Sequence, residues 1–491
     1  MVSKKNNKME FNTYFVNIKN NLKKFFSKTE NIFLVVSLPA IATFLYITPQ
    51  SWGLDEQVHV ARVYQIADGG TYPDSTPGGY GGLLPASLVN VLNYGHRESN
   101  QADRELPVYN DGRKDVKDSS VADMLGSEPI NSNDTQFYNF GTTGPYSPLV
   151  YLPAVVGMKT GMIFDLSVDQ ALTLSRLAQA LFYITCGYMA LRLLARYKLR
   201  WLFFTVALLP MSIFLAITIN ADAYTNGIVV LFAAIMTRLY LLRQKMNTTE
   251  EYLLYALSIA LMLTKPSYAV ALLLVLFLPR HIFTDTKKMY IKKGLLVLFS
   301  TIIFMLFALK GLQYGDSMSV YFSASQAEKI SMLGQMYFIA THPMDFLDTL
   351  VNSIAEYGYV WQSGIVGMLG YNSVGTPHAL VAIASSTVLL AALYADKLRR
   401  SYGYVFFAAG LVSAVSVMVL LYLTFNEIGF YLVTGVQGRY FIPCLLLAGI
   451  GLSAVIGASL SMSKKAAAVI FSLSSFVVLY VTLLAYYAAL F

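Results

Sequence analysis

Charge is scarce in this sequence. Only 13% of its 491 residues are Asp, Glu, Lys or Arg, while 56% are hydrophobic. A soluble domain of this size carries about twice that share of charge. Cysteine is nearly missing too. Cys186 and Cys444 both lie inside apolar stretches, which argues against a disulfide framework or a Cys-based metal site. The five histidines, His59, His96, His281, His342 and His378, lack metal-ligand spacing; His342 and His378 read as loop caps or anchors. Neither a P-loop nor a dinucleotide fingerprint is present, and GGYGG at 78–82 is a loop signal only.

What the chain has instead is apolar length. Stretches long enough to cross a hydrocarbon core about 30 Å thick recur from end to end. Backbone polar groups must be satisfied inside lipid, so these stretches are helices. The expected fold is an all-α polytopic membrane protein with about eleven transmembrane helices. The formal net charge of +8 then reflects cytoplasmic Lys/Arg anchors, and no nucleic-acid partner is needed to explain it.

Charge placement sets the expected topology. Seven lysines from Lys4 to Lys28 precede the first apolar run and put the N-terminus in the cytoplasm. This basic segment, 1–30, is partly amphipathic and suited to lie on anionic lipid. The run that follows begins too late for a cleaved signal peptide and reads as a retained first span, 31–48. Residues 50–144 are polar and rich in Gly, Pro, Asn and Asp, which makes them a large extracytoplasmic loop with a loosely ordered middle. Residues 145–164 are long enough to span. If they did, RYKLR at 196–200 would face outside, so they read as an interfacial or re-entrant helix. Further spans are expected at 170–195, 201–219, 222–241, 251–264, 267–279, 291–311, 378–395, 402–424, 440–460 and 467–489. A second outer segment covers 312–377, with an amphipathic stretch at 344–357. The C-terminus falls outside. Every short basic cluster lands on the same side of this arrangement.

Three groups of residues stand out as able to carry chemistry. After the first span comes Trp52-Gly-Leu-Asp55-Glu56-Gln-Val-His59-Val-Ala-Arg62, a short helix closed by Gly69-Gly70. Asp55, His59 and Arg62 are spaced i, i+4, i+7 and share a face. Adjacent carboxylates at a membrane surface suit general-base work; they equally suit a helix N-terminus, where the dipole favours acids. The second group is Gln437-Gly438-Arg439-Tyr440 at the outer end of a late span. An Arg there either binds a phosphate in bidentate fashion or anchors a helix end. The third comprises Arg176, Asn220, Asp222 and Lys265, within or at the ends of spans. Ionisable groups at that depth are costly and face a cavity or a partner, although Asp222 also fits simple surface exposure.

Taken together, the early Asp55-Glu56 pair with His59 and Arg62, Ser175-Arg176-Leu177, the Lys265-Pro266 break and Gln437-Gly438-Arg439-Tyr440 resemble a bacterial membrane-protein family. It is called "domain of unknown function 2142", and the resemblance runs over most of residues 31–460. That family is in turn similar to the GT-C class of glycosyltransferases. The resemblance implies a GT-C-like transmembrane domain over 31–491 and a polyprenyl-phosphate sugar as donor. A carboxylate of the first outer loop would be the base. Asp55 takes that position, with Glu56 beside it.

On this reading Arg439, Arg176 and Lys265 hold the donor phosphate in one cavity near the outer leaflet. His59, Arg62, Asp222, Asn220, Gln437 and Tyr440 contact substrate. The partners are the lipid bilayer, the lipid-linked sugar and a glycan acceptor, either a cell-surface polysaccharide or its lipid-linked precursor. No cofactor is required, though a divalent cation near Asp55 and Glu56 is compatible. Two other functions fit the same sequence: a transporter or flippase for a lipid-linked glycan, and a non-catalytic assembly subunit.

Overall fold

A computed structural model describes residues 20–21, 23–76, 79–94, 124–131, 133–311, 313–314, 329–370 and 372–491. Most of the basic segment 1–30, the middle of the loop 50–144 and residues 315–328 of the second outer segment lie outside the described residues. The protein is mostly helical, at 74%.

Six of the expected spans coincide with helices long and apolar enough to cross a membrane. These are α1 (Thr29–Ile47), α7 (Ala221–Leu241), α9 (Thr286–Gly311), α13 (Arg400–Phe425), α14 (Ile442–Ile456, with the turn before it) and α15 (Lys464–Leu490). The expected span 201–219 is broken instead. Its halves, α5 (Arg200–Ala207) and α6 (Pro210–Ile217), meet at 59°. Pro210 opens the second half, where its missing N–H costs nothing. Four expected spans are helical yet shorter or more polar. α4 (Val168–Leu193) has the length but carries Asp169, Arg176, Gln179 and Arg192. α8 (Thr248–Met262) and α12 (His378–Leu393) have 15 and 16 residues. Residues Pro266–Phe277 form a 3-10 helix that starts at a proline.

The helices differ in what they face. α7 is almost wholly buried at the centre of the bundle, against α4, α6, α8 and α14. α9 exposes Ile291, Leu295, Leu298, Ile302, Met305 and Leu309, a lipid-facing stripe at helical spacing. The basic turns gather at one end. There Asp396 accepts hydrogen bonds from the amides of Lys198 (2.6 Å) and Leu199 (3.2 Å). Arg243, His281, Lys397 and Arg399 line a cavity beside it.

The opposite end carries a second core. α2 (Glu56–Ala67), α3 (Leu152–Ile163) and the start of α4 pack Val60, Val63, Tyr151, Ala154 and Leu172 together. Over them lies an antiparallel sheet of β1 (Asp74–Thr76), β2 (Gly79–Pro85) and β3 (Thr135–Asn139), paired Gly81↔Asn139 and Leu83↔Phe137. Residues 74–85 and 135–139 of the 50–144 loop thus form one sheet. Leu84 and Leu88 seal it onto the helices. The segment 145–164 forms α3 and the turn before it, and packs along α4. A second two-stranded ribbon, Met368–Leu369 with Val374–Gly375, follows the long helix Pro343–Gly367.

Candidate functional site

The site begins at the turn between α1 and α2. Trp52 and Leu54 are buried in the main core, which pins the turn from below. A side chain at Gly53 would meet Thr218 at 2.6 Å and Glu56 at 2.9 Å, so only glycine lets the chain lie so close. Gly53 N–H donates to Glu56 Oε2 at 2.9 Å. Glu56 thus satisfies an amide at the mouth of its own helix. Asp55 is the N-cap of α2 but makes no cap bond, and its φ is +57°. That left-handed conformation is uncommon for a residue other than glycine.

What Asp55 does instead is reach a residue 384 positions away. Arg439 Nη2 donates to Asp55 Oδ2 at 2.6 Å. Arg439 sits in a 3-10 turn, Gly438–Phe441, pressed against the helix Pro343–Gly367. A Cβ at Gly438 would fall 2.2 Å from the Trp361 carbonyl. Beyond Arg439, its Nε lies 3.4 Å from Asp222 Oδ2. Asp222 in turn is paired with the Lys265 ammonium, which lies 4.5 Å from the Tyr440 ring centre. Four charges therefore alternate in a row: Asp55, Arg439, Asp222, Lys265. Arg439 is 2% exposed and Asp55 34%.

A cavity of about 350 Å³ opens beside this row. Asp55, His59, Tyr146, Lys265, Gln437 and Tyr440 line one side; Val417, Leu420, Leu421 and Phe425 of α13 line the other. Polar and apolar side chains share its wall. His59 Nδ1 lies 2.7 Å from the Tyr151 hydroxyl. Burial lowers the His59 pKa to about 4; Asp55 and Asp222 oppose the shift while Lys265 and Arg439 add to it. The ring is neutral at physiological pH.

The structure brings together Asp55, His59, Lys265, Asp222, Arg439, Gln437 and Tyr440, and places the other expected site residues elsewhere. Glu56 does not face the cavity. Arg176 Nε and Nη2 donate to its two oxygens at 2.8 and 2.6 Å, and the Ile219 amide donates to Oε1 at 2.8 Å. Arg176 also donates to the carbonyls of Thr48 and Pro49. Both side chains are 1% exposed. The expected convergence of Arg176 with Arg439 and Lys265 is thereby corrected: its guanidinium is consumed in tying α4 to Glu56 of α2 and to the carbonyls that follow α1.

Arg62 is buried as well, bonded to Gln65 and the Thr71 carbonyl and 5.4 Å from the Tyr72 ring centre. The shared face of α2 thus delivers Asp55 and His59 to the cavity but not Arg62. Asn220 caps α7, accepting from the Ala223 amide at 2.9 Å. Asp222 is buried, which removes the surface-exposure alternative.

The two carboxylates considered for a cation are each held by a different arginine. Among the described residues, no three His, Cys, Asp or Glu side chains gather into a metal-binding group. The donor set at Asp55 and Glu56 does not fit a divalent cation.

Sequence reasoning missed Tyr146, Tyr268 and the α13 wall. Tyr146 stands in a Gly/Pro-rich turn with nothing to mark it. The wall was legible only as spacing, since 417, 420, 421 and 425 fall on one helical face.

Fold and site define a polytopic α-helical membrane protein with a charged cavity at one end of its bundle. The chain belongs to the predicted membrane protein family DUF2142, whose model matches residues 38–448. No curated protein and no solved structure matches it.

Proposed function

We propose that the protein is a membrane glycosyltransferase that uses a polyprenyl-phosphate sugar on the outer face, with Asp55 as its base. The observation that carries this reading is Asp55 itself. Its carboxylate gives up the capping role of its position, sits on a left-handed backbone, and borders a cavity lined by Lys265 and by apolar residues of α13, with the Arg439 guanidinium bonded to it from behind. A lipid phosphate has that same two-part character. Clustering of the charges at one end of the bundle favours an enzyme over a transporter, which needs polar groups through the membrane depth.

In this reaction the acceptor hydroxyl oxygen attacks the anomeric carbon from the face opposite the phosphate. Its proton passes to Asp55. The bond between the anomeric carbon and the phosphate oxygen breaks, and the electron pair stays on the phosphate. Polyprenyl phosphate leaves with its new charge met by Lys265 and Arg439, and the anomeric centre inverts. His59, being neutral, is suited to orient the acceptor by hydrogen bonding without repelling the cations.

In the same reading the shorter helices complete about eleven spans in a GT-C-like arrangement. The N-terminus lies in the cytoplasm and the C-terminus outside. The acceptor is a cell-surface polysaccharide or its lipid-linked precursor. The test is transfer from a synthetic polyprenyl-phosphate sugar by the purified protein. Transfer by the wild type and its loss in Asp55→Asn are expected. Equal activity in the two proteins would remove the assignment of the base.

A further inference from the structure

Asp55 is poorly prepared for its role as the structure holds it. Its Oδ2 is taken up by the Arg439 guanidinium at 2.6 Å, so that oxygen is not open to an acceptor hydroxyl while the bond lasts. To take a proton from the acceptor, Asp55 has to come off Arg439. The structure contains several features that make this separation easy. Among the described residues, Arg439 is the one hydrogen-bond and ion-pair partner of the Asp55 side chain. The carboxylate is a third exposed, so it has somewhere to go.

Arg439 is the reverse. It is buried and does not itself line the cavity. Asp55 and Tyr440 do, and both are bonded to its Nη2, at 2.6 and 3.3 Å. Its Nη1 is buried with no hydrogen-bond partner, and its Nε also makes no hydrogen bond, despite lying 3.4 Å from Asp222. Buried guanidinium donors left open are costly. They form a planar fork, which two or three oxygens of a tetrahedral anion fill better than one carboxylate oxygen does.

We propose that the seat Asp55 occupies on Arg439 is the seat of the donor phosphate, so that donor binding and release of the base are a single exchange. This rests on the glycosyltransferase reading. Without donor, two carboxylates and two cations balance. The phosphodiester of the donor carries one negative charge and replaces the carboxylate on Arg439 one for one. Asp55, set free, turns to the cavity and takes the acceptor proton. The phosphate gains a charge as the sugar leaves. When Asp55 loses its proton to water, it competes for Arg439 again and helps expel the lipid phosphate.

The experiment measures binding of farnesyl phosphate to the purified full-length protein in detergent, with farnesol as the uncharged control. Removing the competing carboxylate should strengthen binding, so Asp55→Asn is expected to bind farnesyl phosphate about tenfold more tightly than the wild type. Arg439→Gln should lose most of the phosphate-dependent affinity. Farnesol should bind all three proteins alike. Inorganic phosphate should bind more weakly than farnesyl phosphate; equal affinity would overturn a lipid as the ligand.

Equal or weaker binding of farnesyl phosphate by Asp55→Asn overturns the exchange. Asparagine tolerates the left-handed backbone. Should that variant fail to fold, Asp55→Gly, which suits the same φ, makes the same comparison. Tighter binding by Asp55→Asn with no sugar transfer by the wild type would keep the exchange and remove the transferase. Transfer by the wild type with unchanged binding by Asp55→Asn would do the opposite.

Discussion

Asp55 and Glu56 are neighbours in the chain, and each is paired with an arginine on a distant helix or turn, yet the two pairs are built differently. Glu56 and Arg176 saturate one another and their surroundings, and both are shut away from solvent. Asp55 and Arg439 share one short bond, with open donors on one partner and exposure on the other. The first arrangement locks elements in place. The second keeps bonding capacity in reserve. Residue type does not tell the two pairs apart; the count of unused donors and acceptors does.

Substitutions on each side test that contrast. The largest expected effect is on catalysis. Asp55→Asn should lower sugar transfer by about 10²–10⁴-fold while its thermal unfolding midpoint stays within a few degrees of the wild type. A large fall in the midpoint would place Asp55 with Glu56 as a structural group. Glu56→Gln should do the reverse. It leaves Arg176 buried without its counter-charge, and breaking such a pair costs about 3–5 kcal/mol. Unfolding in graded denaturing detergent should show it, with Arg176→Met similar and the double variant recovering part of the loss. If Glu56→Gln is as stable as Asp55→Asn, the two pairs are alike.

His59 gives a pH signature. Its pKa falls from 6.5 in the unfolded chain to about 4 in the folded one, chiefly through burial. The unfolded state therefore takes up a proton first. Stability is full above pH 6.5, declines as the pH falls towards 4, and is flat below. The shift corresponds to about 3 kcal/mol. His59→Gln should remove that part of the acid sensitivity, measured as midpoint against pH; an unchanged profile would assign it to other groups. The smallest effect is expected for Tyr440→Phe. It removes a 3.3 Å bond to Arg439 but keeps the ring beside Lys265. Transfer should fall by less than about tenfold; a loss as great as that of Asp55→Asn would make the hydroxyl part of the chemistry.

Much of this was legible in the sequence where the signal is local. The long apolar runs became α1, α7, α9, α13, α14 and α15 because backbone bonding inside lipid allows little else. The i, i+4 spacing of Asp55 and His59 put both at the cavity. The same rule failed at Arg62, since α2 is buried over most of its surface and one more turn carries that side chain to Tyr72. Arg176 was expected to hold a phosphate, and it is instead buried on Glu56. A charge at that depth needs a counter-charge, but sequence does not say whose.

Asp222 and Arg439 meet across more than two hundred residues, a contact no spacing rule reaches. The small sheet was missed because β2, Gly-Tyr-Gly-Gly-Leu-Leu-Pro, has glycine where strands have branched residues. It packs on α2, a contact between elements that spacing along the strand does not show.

The locked pair also limits how the open one can move. Glu56 is fastened to Arg176 of α4, to the Ile219 amide of the α6–α7 link and to the Gly53 amide, and it directly follows Asp55. The backbone that carries the proposed base is thus clamped at one side. What remains free is rotation about the two side-chain bonds of Asp55. On the proposed reading, the Asp55 carboxylate sweeps a short arc around a fixed pivot, with Arg439 on that arc. An acceptor hydroxyl is served only if it arrives on the same path. Selectivity for the acceptor would then begin as a question of reach, set by a neighbouring residue that never touches the substrate.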